Sequence, residues 1–502
     1  MKNRGQALIP VLFVVLILTA LAVTMTTTAH REVRAAANQI NDTQQYLIAR
    51  GAIQYAAASL MQATNGGCTY PQLTPPPDTD SNGWTQIGDG WYKVDIIDTS
   101  SRVNINIADA ATLAKLPPCQ TDPSLAANII DWRDTDDNPT TIQGVTGSES
   151  DYYQGLSPAY SAKNAPFDSI EELLLVKGFT PQLLYGVNGQ IPTLPVSEVD
   201  ANGNPISTTR AAKSRQAAGG AGQGASTAID TTASTTPFSE LITTYSKEIN
   251  YAADGTKRLD VKTASTATLT TLLTNAGVTA RDARTLLNTF ASQKANVTSL
   301  GDLLGKTDGA GGQLVAPWSR AILQKVADNL TVGAAATNDG VLNINTAAPE
   351  ALATLAGMDQ TLYALILQLR QQNTTFTTVN DLFTGSTFTA AQLKTLYGKV
   401  CAKSSVYLIR VKVRMSGSAR TYAAQAVVEL AAPNAATTGQ TASQVAQSAS
   451  NSSSTSAATP PPPVLPSLLQ FREVPRSPGW TSWLRAPSLY TNGSSGGSIG
   501  SP

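Results

Sequence analysis

The segment QALIPVLFVVLILTALAVTMTTTA, Gln6 to Ala29, holds 24 residues without a formal charge. As a helix it spans about 36 Å, enough to cross the hydrocarbon core of a bilayer. Lys2 and Arg4 precede it with no acid between, which keeps those few residues cytoplasmic and sends everything after His30 to the other side. A secretory signal peptide has a shorter apolar region, roughly 7–15 residues, ending in a small-residue cleavage site. Here the apolar run passes without a break into a second helical pattern, Arg31 to about Gln62. Val33, Ala37, Ile40 and Leu47 recur in it at helical spacing among charged and amide residues. Thr64-Asn65-Gly66-Gly67 then stops it, as glycines past a helix end commonly do. The pattern predicts one continuous helix over 6–64, apolar through 6–29 and amphipathic after.

The rest of the chain is too long for a single domain: it has 502 residues in all. Charged residues make up 14 %, with 35 Lys and Arg balancing 35 Asp and Glu. That neutrality speaks against a protein held on nucleic acid by bulk electrostatics. His30 is the only histidine, which excludes every site that needs two. Cys68, Cys119 and Cys401 form neither a CxxC pair nor a metal-ligand cluster. If the chain is exported, Cys68 and Cys119 are the favoured disulfide, since both lie in one N-terminal segment; three separate buried thiols are the alternative.

Six acids, Asp131, Asp134, Asp136, Asp137, Glu149 and Asp151, crowd a segment whose one base is Arg133. They repel one another unless a cation or a positive partner neutralises them. Oxygen ligands without histidine or cysteine select a hard ion, Ca²⁺ before Mg²⁺. The loop is not an EF-hand, because Pro139 stands where that motif needs glycine and Val145 where it needs glutamate. A solvated acidic loop with Asx turns is the plain alternative, and a paired-carboxylate hydrolase is a remote one.

Three stretches share a pattern: VNINIADAATLAKL from Val103, LDVKTASTATLTTL from Leu259 and LNINTAAPEALATL from Leu342. Each leads into a helical segment and then a short element, Phe167–Leu173, Val297–Leu303 and Phe376–Leu382. The repeat resembles the helix-hairpin-helix unit, which elsewhere grips DNA phosphates. Around the third copy Arg370 is the one base among Glu350, Asp359 and Asp381, so such a surface cannot collect phosphates. The expected role is protein binding, with no nucleic acid.

The start, Lys2-Asn3-Arg4-Gly5 before an apolar run, resembles the leader of type IV pilin-like proteins. The resemblance implies cleavage between Gly5 and Gln6 by the prepilin peptidase and methylation of the new N-terminus. Most pilins carry glutamate where this chain has Pro10. The body adds IIDWRDTDDNP from Ile129 and GSESDYYQGLSPAYSAKNAPFDSIEELLLVKG from Gly147. These resemble, in order, the DW-x-D-x-D…G-x-E-D-x-Y…N-x-P…S-x-x-E-L-x-x-V-x-G pattern of the type II secretion minor pseudopilin K family, which also departs at the pilin glutamate. That resemblance implies a tip position and assembly with minor pseudopilins I and J. It further implies a single pass through the inner membrane, the bulk in the periplasm, and no enzyme activity. Relatives bind calcium here, and their ligands correspond best to Asp134, Asp136, Glu149 and Asp151, with Asp131 and Asp137 weaker candidates. A minor type IV pilus protein and a membrane-tethered DNA receptor are the alternatives.

The expected fold class is α+β: the long pilin-like helix, a small antiparallel sheet and an inserted all-α domain of helix-hairpin-helix or SAM-like repeats. By residue, 1–5 is leader and 6–64 the helix. Residues 65–195 form the first part of the head, with the acidic loop and the first repeat. A flexible linker, 196–236, leads to a two-unit helical domain, 237–400. A hairpin, 401–430, a low-complexity insertion, 431–462, a closing strand, 463–475, and a disordered tail, 476–502, complete the chain.

Overall fold

A computed structural model describes residues 8–186, 236–372, 374–417, 421–431 and 466–473. The cleavage position Gly5–Gln6 lies outside the described residues. So do nearly all of the linker and the low-complexity insertion, and the whole 476–502 tail.

Helix α1 (Leu8–Ala63) is one uninterrupted element. It is long and apolar enough to cross a membrane, and its apolar window is unburied by the protein. Asn65, Gly66 and Gly67 take positive φ, and Gly66 N–H reaches back to Met61 O at 3.0 Å, which satisfies one of the helix's last carbonyls. The C-terminal part of α1 buries Ala49, Ala52, Ile53, Ala56, Ala57 and Leu60 against a sheet. Four alanines on this face let the helix lie close, and Ile53 and Leu60 each contribute about 1.5–3 kcal/mol by burial. Val33, Ile40 and Leu47, the residues that marked amphipathicity in the sequence, stay exposed.

The sheet contains β1 (Thr85–Ile87), β2 (Gly90–Asp98), β3 (Val406–Met415), β4 (Thr421–Glu429) and β5 (Ser467–Glu473). Its order is β1-β2-β3-β4-β5, antiparallel throughout. Adjacent strands β2 and β3 pair from Tyr407↔Asp98 to Met415↔Gly90, so residues 99–405 form one insertion between two neighbouring strands.

That insertion is built from three closed units. Val103–Asn104 pairs in parallel with Ile242–Thr243, Leu259–Asp260 with Leu330–Thr331, and Leu342–Asn343 with Val400–Cys401. Each unit starts and ends on the same short ladder, as inserted units must. At the second position of each opening strand, Asn104, Asp260 and Asn343 accept a backbone N–H two residues on. A basic side chain at the C-terminal end of each unit's longer helix, or just past it, then binds the carbonyl of Ala108, Ala264 or Ala347 (Arg133, Lys294 and Arg370). Finally Glu172, Asp302 and Asp381 reach back to cap their own short helix. The sequence repeat is therefore a repeat of hydrogen bonds.

The middle copy lacks one clasp. Asn106 exchanges two hydrogen bonds with the backbone of Phe167, and Asn345 does the same with Phe376, while Lys262 holds the corresponding place in the middle unit. Asn345→Ala should cost about 1–3 kcal/mol by stranding backbone groups. Lys262→Ala should stay within about 0.5 kcal/mol. Urea melting of the two variants checks the contrast.

Two findings differ from the sequence reading. One apolar core runs from Val103 to Ala402 through all three units. The first unit thus belongs with the other two and not with the sheet, because its closing strand, Ile242–Thr243, lies beyond the expected boundary at 195. The Cys68–Cys119 disulfide is not formed, and all three cysteines are buried free thiols. Cys119 sits in the helical core, whereas Cys68 follows α1, where its carbonyl accepts from Lys403 Nζ. Burial raises the Cys68 thiol and pushes that of Cys119 up to about 12.

The sheet and the insertion are joined by buried polar groups. Asp98, at the end of β2, accepts from Ser100 N–H at 2.8 Å, Asn343 Nδ2 at 2.6 Å and Thr346 Oγ1 at 2.8 Å. Within the insertion, Arg258 pairs with both Glu248 and Asp328 at 2.7 Å, all three side chains 4 % exposed.

Candidate metal centre

The helix Pro123–Arg133 buries Leu125, Ala126, Ile129 and Trp132 and presents Asp131 in its last turn. Asp134 follows as its C-cap. Two carboxylates therefore sit at the negative end of a helix dipole, where anions are disfavoured and cations stabilised. The chain then makes a tight hairpin, Thr141–Ile142 against Val145–Thr146, with Gln143 and Gly144 both at positive φ. The hairpin returns Glu149 to the helix end. One oxygen from each of Asp131, Asp134 and Glu149 lies within 4.8 Å of the others.

These groups are built to face inward. Asp131 is fully buried and Glu149 is 5 % exposed. Asp131 Oδ1 accepts from Thr140 N–H at 2.8 Å. Asp131 Oδ2, Asp134 Oδ1 and both oxygens of Glu149 are buried without a hydrogen-bond partner. Four orphaned carboxylate oxygens in one place cost several kcal/mol unless a proton or a cation meets them. Ca²⁺–oxygen distances of about 2.3–2.6 Å put ligands on opposite sides of the ion about 5 Å apart, which matches the spacing. Gly147 completes the cradle, since a Cβ there would lie 2.0 Å from Asp131 Oδ2 and 3.0 Å from the Ala127 carbonyl carbon. Behind the carboxylates, Trp132 stacks edge-on against Tyr153 at 5.2 Å and Tyr160 at 6.3 Å.

Of the expected ligands, Asp134 and Glu149 are brought together; Asp136 and Asp151 are not among the converging groups. Exposed Asp136 accepts from Asn138 N–H at 2.9 Å in its own turn, and exposed Asp151 lies in the first turn of the helix Ser150–Gln154. Asp137 accepts from Asn164 Nδ2 at 3.1 Å. Asp131, a weaker candidate from sequence, is the most buried member, because it lies on the buried side of the helix's last turn while Asp134 stands at the C-cap. The Gln143-Gly144 pair was the available sign of the hairpin.

Burial, then the charges of Asp131 and Asp134, push the Glu149 carboxyl up to about 7 from an ordinary 4.5. The folded chain binds this proton more tightly than the unfolded chain does. Without a cation, stability should therefore fall as pH rises from about 4.5 to 7 and level off above. Thermal melts in chelator across that range check the slope, and Glu149→Gln should flatten it.

Residues 111–195 match the family model described as type II secretion system protein K. The chain is 27 % identical over 236 residues to type II secretion system protein K of Klebsiella pneumoniae, covering 42 % of this chain and 69 % of that protein. It is 29 % identical over 196 residues to the protein of the same name from Pseudomonas aeruginosa, covering 35 % of this chain and 57 % of that one. A solved GspK–GspI–GspJ complex from enterotoxigenic Escherichia coli contains a chain that aligns over 88 % of this one and 99 % of itself, at 12 % identity and a TM-score of 0.35.

Proposed function

We infer that this chain is a minor pseudopilin of the type II protein secretion machinery, of the protein K class. The observation that carries this reading is the family match over 111–195, the segment that contains the acidic centre. An N-terminal helix of membrane-spanning length and a head built on a small antiparallel sheet fit an assembly protein anchored by one pass. On this reading the prepilin peptidase cuts between Gly5 and Gln6, the new N-terminus is methylated, and the head lies in the periplasm. The chain sits at the pseudopilus tip with minor pseudopilins I and J and helps start the filament. Pro10, where pilins carry glutamate, removes the carboxylate that would pair with a neighbouring subunit's N-terminus, which suits a subunit with none above it. The exposed Val33, Ile40 and Leu47, one heptad apart, give α1 an apolar seam for neighbouring helices.

The inserted units serve as a packed protein-binding body in the manner of helix-hairpin-helix modules without DNA. Asp131, Asp134 and Glu149 hold a calcium ion that ties the end of the helix Pro123–Arg133 to the segment after the hairpin. Expression with the other minor pseudopilins and the peptidase tests the assignment. Mass analysis should find Gln6 as the mature N-terminus, and I and J should copurify with the full chain. A mature N-terminus elsewhere, or no association with either, sinks it.

A further inference from the structure

We propose that a guanidinium clamped between two indoles on the outer face of the sheet, Arg414 with Trp84 and Trp91, is a docking point for a carboxylate of a partner pseudopilin. The proposal rests on the pseudopilin reading above. Along β2, Tyr92, Val94 and Ile96 face α1, so Trp91, Lys93 and Asp95 point to the opposite face. Arg414 is the cross-strand partner of Trp91. Its guanidinium carbon lies 4.5 Å from the Trp84 ring centre and 5.3 Å from that of Trp91.

The clamp is held in place before any partner arrives. Asp80 Oδ1 accepts from Asn82 N–H at 2.9 Å and Trp84 N–H at 2.8 Å, and Asp80 N–H donates to Trp84 O at 2.8 Å. Gly83, at φ +78°, leaves room for the Lys93 stem, whose Nζ donates to Asn82 O at 2.9 Å. Arg414 is exposed, and among the described residues its guanidinium makes no ion pair or hydrogen bond. The nearby acids are otherwise placed. Asp80 holds its turn, Asp95 is buried and feels Lys93, Arg410 and Lys412, and Asp89 lies in the β1–β2 turn without pairing to Arg414.

Stacked arginine keeps its planar fork free and loses little freedom on binding, which favours a bidentate carboxylate. The other half of this face is already covered, where Ile97, Leu408 and Val427 meet Tyr245 and Arg410 meets Glu240. At the other end of this face, among the described residues, Arg414 stays exposed beside Trp84 and Trp91. Gly90 at this end of the sheet meets Ile48 of α1, about 28 Å along the helix from Ala29. Lipid headgroups are out of reach, and a fork shaped for one carboxylate suits an acidic side chain of a neighbouring pseudopilin. The sheet separates this face from α1, and it can be occupied while the helix packs elsewhere.

The test measures binding of the full chain in detergent to the purified I- and J-class pseudopilins of its own secretion system. Arg414→Gln should weaken binding to one of them at least tenfold with an unchanged melting temperature. Arg414→Lys, which keeps the charge but not the fork, should fall between, and Trp84→Ala should follow Arg414→Gln. Equal affinity of native chain and Arg414→Gln overturns this inference alone, and failure of the native chain to bind either protein overturns the pseudopilin reading with it. Loss of pelleting with cell-wall sacculi, with subunit binding intact, assigns the clamp to an anionic glycan and overturns it too.

Discussion

Glu149→Gln is expected to change thermal stability with opposite sign in calcium and in chelator. In chelator the native chain holds three carboxylates within 4.8 Å and four buried oxygens without partners. Removing one charge relieves repulsion, so the variant should melt higher than the native chain above pH 7. In calcium the order reverses. A ligand that binds only the folded state adds about 2.7 kcal/mol at a hundredfold excess over its dissociation constant, or on the order of 5 °C for a head of this size. The variant loses an anionic ligand and most of that gain. Asp134→Asn should behave in the same way, while Asp136→Asn and Asp151→Asn should leave the calcium shift near its native value. Scanning calorimetry of the full chain in detergent reads all four. A calcium shift that survives Glu149→Gln, or one lost equally in Asp136→Asn, moves the ion elsewhere in the loop.

Arg258→Met should destabilise the chain more than any surface change, by about 3–5 kcal/mol. Arg258 donates to Glu248 Oε1 and Asp328 Oδ1, and its Nε donates to the Asp328 carbonyl at 2.8 Å. Lys403 stands 4.0 Å from Asp328 and donates to the carbonyls of Cys68 and Tyr251. This cluster joins the second unit to the turn after α1 and to the strand approaching β3. Methionine fills the space but strands two buried carboxylates. Arg258→Met with Glu248→Gln strands one fewer and should recover part of the loss. Burial alone would raise the Glu248 carboxyl, yet Arg258 holds it below its ordinary 4.5. Its contribution is therefore present above about pH 4.5 and lost as acid takes the pH below that value. Urea melts at pH 7 and pH 4 should show the native advantage over the variant shrinking in acid.

Elements with their own period were legible in the sequence. The long apolar helix, its glycine stop, the β2 strand and the β3–β4 hairpin follow from runs of residue type that any chain obeys locally. The acidic centre was legible in composition but not in its members. Asp134 and Asp136 look equivalent in sequence. One caps a helix that carries Asp131 and the other starts an Asx turn, and only the hairpin at Gln143-Gly144 decides which carboxylate Glu149 meets. Hydrophobic spacing likewise named Val33, Ile40 and Leu47, which are exposed, whereas the packed face of α1 begins at Gln45 and Tyr46. Spacing reports a face without saying what covers it.

By itself, then, the sequence determined that a long helix begins the chain, that an α+β head follows and that three copies of one motif lie within it. Those facts depend on local chemistry and on repetition. The tertiary structure decided that the three copies form one core, because each unit's two end strands lie far apart in sequence and pair only on folding. It also left Cys68 and Cys119 in separate places and gathered Asp131, Asp134 and Glu149 at a helix end. Each of these outcomes depends on how elements pack on one another in three dimensions, and no local pattern carries that information.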